Sequence, residues 1–196
     1  MSGAMNAKLE TRDAGEAGIR IIPVWDPLVR LIHWSLVTTI VLNGFITDPE
    51  RKLHEYVGYA ALALVILRLV WGLVGPRHAR FSAFPPNPIA AMRHIRDTLS
   101  RRSSLHLSHN PLGALMVYNI WGTVLLLCAT GIMMGTIRFF GVEWVQEVHE
   151  AAFTWLMISV GLHLLGVFAE TWMSGVPLVR AMVDGRKRVP AGREAE

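Results

Sequence analysis

One stretch sets the terms for the whole chain. Residues 145–172, VQEVHEAAFTWLMISVGLHLLGVFAETW, are apolar enough to cross a bilayer, yet they carry two histidines, His149 and His163, fourteen residues apart. At about 100° per residue, fourteen steps return the second imidazole to within roughly 40° of the first. At about 1.5 Å rise per residue the two stand about 21 Å apart along one helix face. One lies near a membrane surface and the other well inside. Taken alone, this helix admits two readings. The histidines are stacked ligand positions, or His149 is interfacial and His163 hydrogen-bonds a neighbouring helix.

The rest of the chain is of the same kind. Only 17% of the 196 residues are charged, below the roughly 25% of soluble domains, and 52% are hydrophobic. With a mean hydropathy of +0.37 this places the chain among integral membrane proteins. The single cysteine, Cys128, lies in an apolar run, so neither a disulfide framework nor a zinc cluster is available, and without a C-x-x-C-H motif covalent c-type haem attachment is excluded. The net charge of +4 comes from basic residues flanking apolar runs, the pattern of membrane topology rather than of nucleic-acid binding.

Four spans can be placed. Asp26-Pro27 reads as an N-cap with proline at the first helical position, opening a span at about 27–47 that holds Arg30 and His33. Asp48-Pro49-Glu50 turns the chain into a second span, 52–73, which begins with Lys52 and His54 and carries Arg68 fourteen residues beyond that histidine, nearly on its face. A long connection, 76–109, is rich in arginine, including Arg77, Arg80, Arg93, Arg101 and Arg102. Within it PIAAMRHIRDTLSRR puts Ile89, Met92, Ile95 and Leu99 on one side, as in a short amphipathic surface helix or a plain solvated one. Asn110-Pro111 opens a third span, 111–135, with no histidine. Arg138, Glu143 and Trp144 fill the short loop before the fourth span, 148–172. The expected organisation is a mobile cytoplasmic tail at 1–20, a membrane domain at 21–185 and a basic cytoplasmic tail at 186–196. The positive-inside rule puts both termini and the long connection in the cytoplasm. Trp25, Trp71 and Trp172 then fall near that surface and Trp144 near the other.

This topology gives each histidine a depth. His33 and His163 lie in the cytoplasmic half; His54 and His149 lie near the outer surface. Ionisable residues inside membrane helices are costly and face the bundle interior for a reason. Four of them sorting into two level pairs fits axial bis-imidazole ligation of two b-type haems, each ring giving one nitrogen to iron and the other N–H to an acceptor. The expected fold class is therefore all-α: an integral membrane four-helix bundle around two haems, with short surface helices. Propionates need cationic partners. Arg30 and Arg68 suit the cytoplasmic side, and Lys52 or Arg138 the outer one, although all four also serve as interfacial anchors. Gly44, Gly58, Gly122, Gly131, Gly161 and Gly166 would admit a macrocycle or simply close helix packing. His78, His94 and His106 read as solvated, and His109 as a hydrogen-bonding residue at the cytoplasmic mouth.

The segments VWDPLVRLIHW, HEYVG, RLVWG and HNPLG, followed by the paired histidines of the last helix, resemble the bacterial cytochrome b561 and nickel–iron hydrogenase b-type cytochrome family over roughly residues 22–185. The spacing on the last helix is also similar to that in the membrane subunit of formate dehydrogenase, whereas some hydrogenase cytochrome subunits place those histidines closer together. The resemblance implies a di-haem cytochrome of the bacterial inner membrane with His33, His54, His149 and His163 as axial ligands. It implies electron exchange between quinone or quinol and a partner such as a c-type cytochrome or another redox subunit.

Two functions from one class follow: a membrane electron carrier, with quinone oxidoreductase activity open, or the haem-bearing anchor of a hydrogenase-like complex. No catalytic acid–base pair or nucleophile stands out. Quinone protons would move through waters or surface groups such as Glu143, Glu147 or Glu150. The alternative class is a haem-free, histidine-lined metal or proton transporter. Against it, Asp and Glu sit only at span ends.

Overall fold

Local chemistry decides where each apolar run starts and stops being a helix. The computed structural model describes residues 19–76, 79–99 and 111–190. Helix α1 (Pro27–Phe45) opens on Asp26, whose Oδ1 accepts from the amides of Leu28 at 2.9 Å and Val29 at 3.0 Å. Pro27 takes the first position, where no N–H is needed. A short turn, in which Arg51 pairs with Asp48 at 3.2 Å, leads into α2 (Lys52–Val74). Asn87-Pro88 repeats the cap-plus-proline device, with Asn87 Oδ1 accepting from Ala90 at 2.9 Å, and opens α3 (Pro88–Leu99), a helix within the long connection. Helix α4 spans Pro111–Met134 and α5 spans Glu143–Ser174.

The first three spans run within two residues of expectation, but α5 begins five residues before 148. Glu143, Trp144 and Glu147 are too polar for the hydrocarbon, yet a helix that projects beyond the membrane needs no apolar residues there. At about 1.5 Å per residue its 32 residues reach about 48 Å, well over the roughly 30 Å core. Gly175, at φ +72°, stops it in the left-handed conformation that a side chain resists.

Helices α1, α2, α4 and α5 are each long and apolar enough to cross a membrane. They pack in series, α1 on α2, α2 on α4 and α4 on α5, with α3 laid on α4. The core between them is built from Leu36, Val65, Phe84, Trp121, Val124 and Leu156. Leu31, Phe45, Leu165, Phe168 and many others stay exposed, as lipid-facing side chains do. The protein is thus an all-α membrane helical bundle.

One feature lies outside the helices. Strand β1 (Ile19–Pro23) pairs antiparallel with β2 (Arg186–Pro190), in the register Ile22↔Lys187. Helix α6 (Leu178–Asp184) leads into β2 through Gly185, at φ +82°. The Gly185 carbonyl accepts from the amides of Val24 at 3.0 Å and Trp25 at 3.2 Å. Arg30 donates to the Val183 carbonyl and Trp34 Nε1 to that of Met182 at 3.3 Å. This clasp ties α1 to the chain following α5. The expected terminal tails therefore begin with strand: β1 starts at 19, inside the 1–20 segment, and residues 186–190 form β2. Residues 1–18 and 191–196 lie outside the described residues, as do Arg77, His78, Arg101, Arg102, His106, His109 and the cap at Asn110. The end carrying the clasp is called here the clasp end; the opposite end, with turns 46–51 and 135–142, the hairpin end.

Two outcomes follow from this packing. A Cβ at Gly72 would overlap the Phe81 ring, which stacks edgewise on Trp121. Gly72→Ala is expected to cost about 1–3 kcal/mol, read as a lower melting temperature in detergent. Lys187 is only 5% exposed, and burial pushes its ammonium from 10.5 down to about 8, with Glu170 opposing. The folded chain sheds this proton before the unfolded chain does, so stability should rise as pH climbs from about 8 to 10.5. Lys187→Met should flatten that rise in melting curves recorded across the same range.

Candidate functional site

At the hairpin end, His54 in the first turn of α2 faces His149 in the second turn of α5, with ring centroids 6.4 Å apart and planes at 59°. An imidazole nitrogen lies about 2 Å from a metal it binds and roughly 1 Å from its own ring centroid. Two imidazoles that held one metal ion between them would therefore have centroids about 6 Å apart. Both rings are half-buried.

Hydrogen bonding fixes what each ring can offer. Asn43 Nδ2 donates to the His54 carbonyl at 3.0 Å, so Asn43 Oδ1 is the atom left to accept from Thr47 Oγ1, at 3.0 Å. With its one proton spent on Asn43, Thr47 Oγ1 accepts at its 3.3 Å contact with His54 Nδ1. On the other side Thr130 Oγ1 donates to the Leu126 carbonyl at 2.9 Å and lies 2.8 Å from His149 Nδ1. The same hydroxyl lies 3.1 Å from the Leu127 carbonyl, and with its proton on the backbone it accepts from the ring. These contacts favour, for each histidine, the tautomer with its proton on Nδ1, which leaves the Nε2 lone pair free.

At the clasp end, His33 on α1 and His163 on α5 are both half-buried. His33 packs edge-on against Trp34, at 5.4 Å between centroids. Among the described residues no hydrogen bond reaches the ring of either. Of the two pairs that depth selects, the structure sets the rings of His54 and His149 side by side, while His33 and His163 lie on α1 and α5 at the clasp end.

The four basic residues divide by end. Arg68 is 5% exposed; its Nη2 donates to the Ala79 carbonyl at 3.0 Å, and its guanidinium lies 5.0 Å from the Trp121 ring and 5.8 Å from that of Phe84. Its Nη1 is buried with no hydrogen-bond partner among the described residues, and so is Nε of Arg30. Unsatisfied guanidinium nitrogens in such a setting are costly and call for an anion. At the hairpin end Lys52 is exposed, and Arg138, also exposed, lies 5.4 Å from the Phe139 ring.

Of the glycines, Gly131 lies beside the site: a Cβ there would stand 3.6 Å from His149 Cε1. Gly122, Gly161 and Gly166 face open space, whereas Gly44 meets Phe153 across the α1–α5 seam. Sequence reasoning passed over Asn43, Thr47 and Thr130. The available signal was the cost of polar side chains in apolar helices, with Asn43 and Thr47 one turn apart. It also missed the bridge between α4 and α5 midway between the two levels, where Asn119 bonds Ser159 at 2.8 Å and Trp155 at 3.0 Å. Among the described residues no group of three or more His, Cys, Asp or Glu side chains gathers.

A membrane helical bundle with imidazoles paired across its interior has the architecture of a b-type cytochrome. The family model for prokaryotic cytochrome b561 matches residues 24–185, and the chain belongs to that family. It is accordingly a membrane protein that binds b-type haem and transfers electrons. A search of curated proteins returned no match. The matched stretch runs from Val24 to Gly185, two residues joined by the first hydrogen bond of the clasp.

The setting of Gly131 gives a graded expectation. Gly131→Ala makes only an ordinary contact with His149 and should keep the haem-to-protein ratio of purified protein, whereas Gly131→Leu should displace the imidazole and lower that ratio.

Proposed function

We propose that the chain is a di-haem cytochrome of the bacterial inner membrane, carrying electrons between the quinone pool and a redox partner at the membrane surface. Residues His54 and His149 would hold one haem, and His33 and His163 the other. The observation that carries this reading is the His54–His149 pair, whose 6.4 Å centroid separation would suit one iron held between the two rings. Haem, when bound, supplies reversible one-electron chemistry.

The chain's own residues do the rest. At the clasp end the unsatisfied nitrogens of Arg68 and Arg30 fit propionate carboxylates. At the hairpin end Lys52 and Arg138 take that role as exposed, weaker partners. Apolar packing by Leu36, Val65 and Leu156 keeps water from the bundle centre. The basic residues of the clasp, Arg186, Lys187 and Arg188, favour the cytoplasmic side for that end. The hairpin face then meets the periplasmic partner, a c-type cytochrome or the catalytic subunit of a hydrogenase-like complex.

A reduced-minus-oxidised spectrum of the purified protein, made with haem supplied, tests the reading. A b-type signal is expected. His33→Ala and His163→Ala should each remove the same spectral component, and His54→Ala and His149→Ala the other. Absence of the signal contradicts the reading. Loss of one and the same component from His33→Ala and His54→Ala contradicts the pairing.

A further inference from the structure

The two histidine levels are built differently. At the hairpin end Nδ1 of each ring lies against a threonine hydroxyl, that of His149 against Thr130 at 2.8 Å and that of His54 against Thr47 at 3.3 Å. Each hydroxyl is itself turned by a donation elsewhere, to Leu126 or to Asn43. At the clasp end no described residue accepts from His33 or His163.

These differences act on iron in a known direction. An imidazole whose Nδ1–H donates to an acceptor is a more basic ligand through Nε2, and this favours the ferric state. The hairpin level has two such ring contacts and the clasp level has none among the described residues, so the hairpin level is the lower in potential.

We propose that Thr130 and Thr47 are positioning residues that hold His149 and His54 as Nδ1–H tautomers and thereby keep the haem between them at the lower midpoint potential of the two. This rests on the di-haem reading above. The shorter bond gives Thr130 the larger share. Asn43 acts one step further out, because its donation to the His54 carbonyl leaves its own oxygen to orient the Thr47 hydroxyl.

A redox titration of the full-length purified protein, followed at the b-type absorbance, tests this. The wild type should resolve into two components. Thr130→Val, which keeps the shape and removes the hydroxyl, should move the lower component upward and leave the higher one in place. Thr130→Ser should restore the wild-type value, and Thr47→Val should repeat the upward shift on a smaller scale. In a His163→Ala background, which removes the clasp-end haem, the lower component should remain alone and still respond to Thr130→Val. If Thr130→Val fails to retain haem, the Thr47→Val shift decides. The proposal is overturned if the lower component stays put in the variants, if the higher one moves instead, or if serine and valine shift it alike. Absence of any b-type signal in the wild type would overturn the functional reading rather than this one.

Discussion

An imidazole inside a membrane has two ring nitrogens and no water, and that constraint governs this structure. Each nitrogen left without a partner costs free energy on the order of a few kcal/mol. At the hairpin end threonine hydroxyls take one nitrogen of each ring, and their protons are already committed to Leu126 and Asn43. The two rings stand 6.4 Å apart between centroids. A metal centre held between them would serve the remaining nitrogens of both at once. Membership of the prokaryotic cytochrome b561 family implies b-type haem, which would supply such a centre.

The scaffold follows from the same requirement. Four helices packed in series, each a neighbour of the next, leave the α1–α5 seam lightly packed. The terminal clasp closes that seam at one end through Gly185, Val183 and Met182, which accept from Val24, Trp25, Arg30 and Trp34. His33 lies between Arg30 and Trp34 in the chain, so the clasp also sets the position of the turn that carries it. Arg68, buried among Phe84 and Trp121 with one guanidinium nitrogen unsatisfied, marks the same end as the place for negative charge.

Much of this was legible in the sequence, for identifiable reasons. Helical rise and hydropathy are long-range rulers, so the depths of His33, His54, His149 and His163 could be read before any contact was known. Asp26-Pro27 declared the start of α1 because a cap is a local device. What stayed hidden was non-local or ambiguous. The strand RKRVP has no alternating pattern of its own and finds its partner more than 160 residues away, from Pro23↔Arg186 onward. The early start of α5 was masked by polar residues that rule out hydrocarbon but not helix. Thr130 in an apolar helix reads as a residue bonding its own backbone, which it also does, and only the packing of α4 on α5 brings His149 to its hydroxyl.

The central claim is that four histidines form two separate bis-imidazole sites. Electron paramagnetic resonance of the oxidised, purified protein, combined with its haem-to-protein ratio, addresses it most directly. Two haems per chain, both low-spin ferric as two nitrogen ligands dictate, are the expected result. A single haem per chain, or a high-spin centre in place of either, would contradict it.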